Sequence, residues 1–327
     1  MPAPDSLVSV VIPLYNSEQW IEETLATVQR QTVDPESLEI IVVDNGSTDH
    51  GPEIVRRHAP QCTLISLGDN RGPSIARNIG WRRSRSPWIQ FLDSDDLLAP
   101  EKLTHQLASA AAVPADVAVI YSEWQAYSLE GEWKPTPPVW APALDGDLVQ
   151  NLLRPENFIA TGSQLFRTAW LDKIGGFDEQ HWIIEDVHLL LRIAMAGGQF
   201  LSAPAGRALF YYRKRGTSSL SGSRHLEFLI ASVRNLRLAE DYWTAGKLLT
   251  EQRLHFLVDW YEPLLHSLAE LDPPEFERLL AHILSLSPDW LPKHRRMRIL
   301  SKMFGYRAAE RISARYRALK TKVAGHQ

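Results

Sequence analysis

The first half of the chain alternates short apolar runs with longer amphipathic stretches. Five runs have the length and composition of buried strands: LVSVVIP (7–13), LEIIVVD (38–44), CTLISL (62–67), PWIQFLD (87–93) and DVAVIYSE (116–123). Three segments have apolar residues at helical spacing: 16–31, the residues after Pro73, and a stretch near 101–111. Asn16 is placed to cap the first of these helices. Continuous apolar strands separated by helices are typical of parallel pairing with both faces covered. The pattern predicts an α/β fold with a mostly parallel sheet flanked by helices.

The pattern changes in the second half. Segment 128–147, with its Pro and Trp residues, is interpreted as a departure from the core. Beyond it, 162–178 predicts a strand, a helix and a loop, 185–198 predicts a helix, and 207–213 predicts a late strand. From about residue 225 the spacing is helical throughout. We therefore expect an α/β ligand-binding domain at 1–222 and a C-terminal helical region at 223–327.

Composition excludes several classes of protein but does not indicate a function. The chain has 327 residues, of which 44% are hydrophobic and 23% charged, as in ordinary globular proteins, and its net charge of −4 favours no class of partner. Its one cysteine, Cys62, excludes an intrachain disulfide framework and a cysteine-rich zinc site. The N-terminus has no signal-peptide pattern, and no run of about 20 apolar residues occurs. These features predict a cytoplasmic protein.

Polar residues follow three of the predicted strands at the point where each ends. Tyr15 follows the first, Asp44 ends the second, and the cluster Asp93–Asp96 ends the fourth. Because ligands of open α/β sheets bind at the carboxyl ends of strands, these residues are expected along one rim. Neither GxGxxG nor GxxxxGK[ST] occurs, so the Rossmann and P-loop interpretations lack their phosphate cradles. An Asp-x-Asp at a strand end suits Mg²⁺ or Mn²⁺, which bind carboxylates and share substrate phosphates.

Six motifs in this order resemble the inverting glycosyltransferases of family 2, which have the GT-A fold. They are VSVVIPLYN, IIVVDNGSTD, GPSIARNIG, WIQFLDSDDLLAPEKL, IGGFDE and EDVHLLLRIAMAG, and they span roughly residues 7–215. Each motif alone has little specificity, whereas their shared order and spacing are specific. The resemblance implies a nucleotide-sugar donor, here a UDP-sugar, a divalent Mn²⁺ or Mg²⁺ ion, and a glycan or lipid-linked acceptor in polysaccharide or glycoconjugate synthesis.

The resemblance also implies roles for single residues. Asp186 matches the catalytic base, and Glu185 and Trp182 lie beside it as orienting or acceptor-binding groups. Asp95 matches the direct metal ligand, with Asp93 also contributing. The nucleotide-sugar-binding residues are Pro13, Tyr15, Asp44, Arg77, Asp93 and Ser94. A carboxylate base suits the chemistry because the acceptor hydroxyl must lose its proton as the new bond forms.

One segment departs from the family pattern. Family members often carry a late His near the metal or diphosphate, whereas FYYRKRGTSS has Arg213, Lys214 and Arg215. These basic side chains offer a direct countercharge for the diphosphate, which would lessen dependence on the metal.

Several of these residues also have structural interpretations. Asp44 could cap the helix that follows NGSTD, and Asp186 stands at a predicted helix start. Arg77 could form a surface ion pair. Asp96 is interpreted as the cap of a helix beginning near Leu97 rather than as a metal ligand. Three tryptophans suit either sugar stacking or packing: Trp124, Trp133 and Trp140.

The C-terminal stretch 293–322 is basic and amphipathic. It holds eleven Lys or Arg residues and one acid, Glu310, with apolar residues at helical spacing. Such a helix suits peripheral contact with an anionic membrane, which would bring the enzyme to a lipid-linked acceptor. Packing on the catalytic domain and a dimer contact are equally open, and the oligomeric state stays undetermined. Nucleic acid is not an expected partner, because no recognisable nucleic-acid module accompanies the charge.

Two other functions are compatible with part of the pattern. A nucleotidyltransferase also uses an α/β sheet with acidic metal ligands, but it attacks phosphorus and needs no base at the position of Asp186. A catalytically inactive nucleotide- or glycan-binding protein is the other, and the presence of both Asp95 and Asp186 counts against it.

Overall fold

The computed structural model describes residues 6–130, 132–214 and 224–314. The chain divides into two compact units, Met1–Ser223 and Arg224–Gln327. The described strands, all in the first unit, are β1 (Val8–Leu14), β2 (Leu38–Asp44), β3 (Thr63–Ser66), β4 (Trp88–Phe91), β5 (Leu97–Leu98), β6 (Val117–Tyr121), β7 (Trp124–Glu130), β8 (Glu132–Trp140), β9 (Gln164–Arg167), β10 (Gln199–Ser202) and β11 (Phe210–Lys214).

The larger sheet has seven strands in the order β10-β6-β9-β4-β1-β2-β3. All neighbours are parallel except β9, which is antiparallel to both β4 and β6. The central strand β1 is apolar and buried, with Val10 and Ile12 fully inaccessible. The predicted mostly parallel sheet is therefore confirmed, and the five predicted strands of the first half are present.

Helices of the first unit connect these strands. They are α1 (Ile21–Gln29), α2 (Gly51–His58), α3 (Pro73–Arg83), α4 (Lys102–Ala110), α5 (Leu148–Leu152), α6 (Thr168–Ile174) and α7 (Glu185–Met195). Pro73 opens α3, as its fixed backbone φ favours. Helix α2 and strand β10 were not predicted, because α2 is short and largely polar and β10 has only four residues, two of them polar.

The predicted cap at Asn16 is wrong. Asn16 has a positive φ of 46°, and α1 begins only at Ile21. The Asn16 side-chain oxygen instead accepts the backbone N–H of Thr48 at 2.8 Å. Asn16 therefore joins the loop after β1 to the loop after β2.

A second sheet contains four strands in the order β5-β11-β7-β8. The segment interpreted as a departure from the core forms most of an antiparallel hairpin, β7 with β8. Trp124 is buried and stacks on Trp140 with ring centroids 5.3 Å apart and planes 9° apart. These two tryptophans therefore pack against each other within the protein.

The second unit is helical over its described residues. It contains α8 (His225–Ala245), α9 (Glu251–Leu271), α10 (Pro273–Leu286) and α11 (Arg295–Phe304). Tyr261 and Trp243 are fully buried, and the Tyr261 hydroxyl donates to Glu240 at 3.0 Å. Within the described parts of both units, no helix combines the length and apolarity needed to cross a bilayer.

Candidate functional site

The register of the large sheet places three polar strand ends at one edge. Leu14 at the end of β1 pairs with Asp44 at the end of β2, and Pro13 pairs with Val43. On the other side of β1, Val11 pairs with Phe91 of β4, and the Val11 carbonyl oxygen accepts the Leu92 N–H at 3.0 Å. Tyr15, 44% exposed, therefore stands between the loops that begin at Asp44 and Asp93.

The loop after β2 is held by its own side chains. Asp44 accepts the backbone N–H of Ser47 at 2.9 Å, so it stabilises a turn and does not cap α2, which begins at Gly51. The Asn45 side chain donates to the carbonyl oxygen of Gly72 at 3.2 Å. Gly46 has a φ of 77°, and a Cβ there would lie 2.5 Å from the backbone of Asp69, so only glycine fits. The loop is thus fixed against the segment that leads into α3.

Arg77 of α3 joins two acidic positions. One terminal guanidinium nitrogen donates to Asp93 after β4, and the other donates to Glu185 at the start of α7, both at 2.6 Å. Arg77 is 3% exposed, so the interpretation as a surface ion pair is wrong. Burial alone would lower the pKa of Arg77, but Asp93 and Glu185 raise that pKa above its ordinary value. Arg77 therefore stays charged in this site.

Asp186 follows Glu185 in the first turn of α7. One Asp186 oxygen accepts the Thr161 hydroxyl at 3.1 Å, and the other accepts the Val187 N–H at 2.8 Å. Burial raises the pKa of Glu185 to about 7, despite the opposing effect of Arg77. Burial also raises the pKa of Asp186, and the negative charge of Asp93 adds to that effect. The negative charge of Asp93 thus acts on the carboxyl of Asp186.

Arg213 holds the acidic turn from the side of β11. Its guanidinium donates to the carbonyl oxygen of Asp95. It also donates to the Glu23 carboxylate at 2.7 Å, and it lies 4.6 Å from the ring centre of Trp20. Arg213 is 1% exposed. Arg213 therefore supports the Asp-x-Asp turn instead of making the expected contact with a diphosphate. Arg215 lies outside the described residues.

The predicted helix cap at Asp96 is wrong. Residues 97–98 form β5, and α4 begins only at Lys102. Asp96 is buried and accepts the backbone N–H of Arg213 at 2.8 Å, so it joins the turn to β11. Burial, with the charges of Asp95 and Asp93, raises the pKa of Asp96 well above its ordinary value. Asp96 is thus a structural acid of the turn.

Two further residues predicted for the site, Ser94 and Trp182, make contacts within the protein. Ser94 is buried, and its hydroxyl donates to Ser17 at 2.8 Å, so its side chain faces the protein. The Trp182 ring lies close to Gly72, where an added Cβ would come within 2.8 Å of the indole. Trp182 therefore packs at Gly72, which immediately precedes α3.

Three contributing residues were not found from sequence. Thr161 orients Asp186, and Glu23 and Trp20 hold Arg213. Thr161 lies in ATGSQLFR, which carries no recognisable pattern. Glu23 and Trp20 belong to the segment predicted as the first helix, and only the fold brings them to the end of β4.

The chain belongs to a known enzyme family. The model for glycosyl transferase family 2 matches residues 9–175, half of the chain. The protein is therefore a glycosyltransferase, and the predicted family is confirmed.

The succinoglycan biosynthesis protein ExoO of Rhizobium meliloti is 30% identical over 69% of this chain and 66% of that protein. The validoxylamine A glucosyltransferase of Streptomyces hygroscopicus subsp. limoneus is 32% identical over 58% of this chain and 48% of that protein. The chain thus spans about half to two thirds of these relatives.

Solved structures agree on the fold. TarS of S. aureus in complex with UDP-GlcNAc matches with a TM-score of 0.64 and 19% identity, over 94% of this chain and 91% of that chain. The mannosyltransferase PcManGT of Pyrobaculum calidifontis, in complex with GDP-Man and Mn²⁺, matches with a TM-score of 0.55 and 20% identity, over 95% and 87%. At these identities the likeness establishes the fold, and the GT-A prediction is confirmed.

Proposed function

We propose that the protein transfers a sugar from a nucleoside-diphosphate donor, a UDP-sugar, to an acceptor hydroxyl with inversion at the anomeric carbon. The observation that carries this proposal is the bridge Asp93–Arg77–Glu185, centred on the buried guanidinium of Arg77, which ties the Asp-x-Asp turn to the helix start bearing Asp186. The bridge would thereby fix the turn proposed to face the leaving group relative to the helix start that carries the proposed base. Residues 1–222 would form the catalytic domain and 223–327 an accessory helical region.

The nucleotide would bind along the edge formed by the ends of β1, β2 and β4. Pro13 and Tyr15 would line the pocket, and Asp44 would contact the base or ribose. Arg77, Asp93 and Ser94 complete the proposed donor set. The side chain of Ser94 already faces Ser17, so we assign its donor role to the backbone of the turn. The UDP and UDP-GlcNAc complexes of TarS support a uridine nucleotide at this edge.

Asp186 would act as the general base. It would accept the proton of the acceptor hydroxyl while that oxygen attacks the anomeric carbon and the nucleoside diphosphate departs. The Thr161 hydroxyl and the Val187 N–H fix the orientation of the carboxylate. Glu185 and Trp182 would position the acceptor beside it. Attack from the side opposite the leaving group gives inversion.

The Asp-x-Asp turn suits a hard divalent cation. Asp93 and Asp95 offer only oxygen donors, and each lends negative charge to the neighbourhood of Asp96, which raises the pKa of that acid. These residues would hold Mn²⁺ or Mg²⁺. When bound, the ion would neutralise charge that develops on the leaving diphosphate. A Mn²⁺ complex of PcManGT supports this cofactor class.

The biological setting would be polysaccharide or glycoconjugate synthesis with a glycan or lipid-linked acceptor. The match to a succinoglycan biosynthesis protein supports this setting. Helix α11 supports a peripheral contact with the inner face of the plasma membrane. Its side chains Ile299, Met303 and Phe304 are 52%, 65% and 56% exposed beside arginines and Lys302. The proposed membrane segment 293–322 extends past residue 314, beyond the described residues.

A donor screen tests this function. Purified full chain is incubated with a panel of nucleotide sugars, with Mn²⁺ or Mg²⁺, and with candidate glycan acceptors. The proposal predicts release of the nucleoside diphosphate. Release of sugar 1-phosphate, which leaves when a nucleophile attacks the α-phosphorus of the nucleotide sugar, would identify a nucleotidyltransferase instead. Tight donor binding without any turnover would identify an inactive binding protein.

A further inference from the structure

Three side chains with metal-binding donor atoms cluster outside the Asp-x-Asp turn. Asp178 and His181 lie in the loop between α6 and α7, and His188 lies in α7 itself. One donor atom from each residue lies within 4.8 Å of the other two. This spacing, D-x₂-H-x₆-H, belongs to none of the six family motifs taken alone, because it crosses from one motif to the next.

The distances from the Asp178 oxygen to the two imidazole nitrogens are close to those between two ligand atoms of a small tetrahedral ion. His181 Nδ1 lies 3.0 Å and His188 Nε2 lies 3.6 Å from the same oxygen of Asp178. Bond lengths of about 2.0–2.2 Å at a tetrahedral zinc ion separate two ligand atoms by about 3.3 Å. The two imidazole rings are stacked, with centroids 4.0 Å apart and planes 14° apart. Each ring presents one nitrogen to the same Asp178 oxygen, and because a metal ion binds in the plane of an imidazole, one of the stacked rings must turn when both hold one ion.

The chemical character of the cluster differs from that of the Asp-x-Asp turn. Two imidazoles and one carboxylate are the donor set of zinc-class transition metals, whereas oxygen donors alone suit Mg²⁺ and Mn²⁺. The His181 and His188 side chains are only 10% and 9% exposed. Burial alone would raise the pKa of Asp178, but the Gln180 N–H and the two histidines lower it, so the carboxylate is ionised.

The cluster sits at the base of the loop that carries Trp182. The His181 carbonyl oxygen accepts the Ser74 hydroxyl at 2.6 Å, and Trp182 packs at Gly72. The other end of the cluster, His188, lies one helical turn after Glu185. An ion bound here would therefore tie the Trp182 loop to the helix start that carries Glu185 and Asp186.

We infer that Asp178, His181 and His188 form a second metal site, for a zinc-class divalent transition metal, that fixes the loop bearing Trp182 against α7. Three protein ligands leave one coordination position for water. The site is structural and independent of the donor, so it can be tested without any turnover.

Equilibrium dialysis against Zn²⁺ alone tests the site on chelator-treated full chain. The background variant Asp93→Asn/Asp95→Asn removes the carboxylates of the Asp-x-Asp turn. Wild type and this background variant should each retain about one Zn²⁺ ion in the site. His181→Gln and His188→Gln, made in that background, should lose it. His58→Gln is the matched control, because His58 contacts a single carboxylate, Glu22, at 3.4 Å.

A wild-type readout protects the test against variants that fail to fold. Long-range ¹H–¹⁵N spectra of the imidazoles should show two of the eleven histidine rings changing on addition of one equivalent of Zn²⁺. The inference is overturned if these spectra show no such pair. It is equally overturned if folded His181→Gln retains as much Zn²⁺ as His58→Gln. Asp178, His181 and His188 would then form an ordinary carboxylate–histidine cluster without a metal.

Discussion

Arg77 and Glu185 form a buried ion pair of 2.6 Å between α3 and α7. The second terminal nitrogen of the same guanidinium binds Asp93 at the end of β4. Planar guanidinium groups can bind two carboxylates at once in a fixed geometry, which an ammonium group does not reproduce. This bridge therefore sets the position of the proposed catalytic helix relative to the proposed metal-binding turn.

Removal of Arg77 should destabilise the first unit. Arg77→Met leaves Glu185 buried without its countercharge, and breaking a buried pair in this way costs about 3–5 kcal/mol in free energy of unfolding. Urea denaturation measures the change. Arg82→Met is the control, because Arg82 pairs with Glu179 at 3.4 Å with both side chains about half exposed. That loss should stay below about 1 kcal/mol. Equal losses in the two variants would show that the bridge has no special energetic role.

The stability of the fold should depend on pH through Glu185. Its pKa is about 7 in the folded chain, above the ordinary 4.5, so the folded state binds this proton more tightly than the unfolded state. The free energy of unfolding should therefore fall as pH rises from about 4.5 to 7. In Glu185→Gln the fall should be smaller, with the remainder due to Asp186 and Asp96, whose pKa values are also raised. Urea denaturation at several pH values measures both slopes, and an unchanged slope in the variant contradicts the assignment.

The site shows what a sequence can predict and what it cannot. Asp44 and Asp93 were placed at one edge because parallel strands bring their carboxyl ends together, a rule that needs only the strand positions. The role of Asp96 was mistaken because its partner, the Arg213 N–H, is 117 positions away in the chain. A neighbouring helix start was the only partner that local sequence offered. Thr161 shares this limit, since its hydrogen bond to Asp186 joins the turn before β9 to the start of α7, 25 positions later in the chain.

Metal binding at the Asp-x-Asp turn should depend on the nucleotide. Asp93 and Asp95 repel each other's charge, and a diphosphate would supply the remaining oxygen ligands. Calorimetric titration of Mn²⁺ should give an affinity at least about tenfold higher with UDP than without it, in the usual range of coupling between two ligands. Asp95→Asn should abolish this enhancement. Equal Mn²⁺ affinity with and without UDP would refute the coupling.

The exposed apolar side chains of α11 should bind anionic membranes. Vesicle co-sedimentation of wild type should increase strongly when phosphatidylglycerol is added to phosphatidylcholine, because basic residues contribute about 1 kcal/mol each near an anionic surface. The triple variant Ile299→Ser/Met303→Ser/Phe304→Ser should lose this binding.

Leu248→Ser provides the control for that experiment, since Leu248 is 42% exposed in another part of the second unit. It should bind vesicles as wild type does. Equal binding by the triple variant and wild type would indicate that α11 covers another protein surface.

The most direct test of the proposed mechanism compares wild type with Asp186→Asn. With the donor identified by the screen, turnover is followed by release of nucleoside diphosphate, and donor binding is measured separately by calorimetry. Loss of a general base predicts a turnover decrease of about 10²–10⁴-fold with donor affinity nearly unchanged. Retention of wild-type turnover by Asp186→Asn would contradict the assignment of Asp186 as the base.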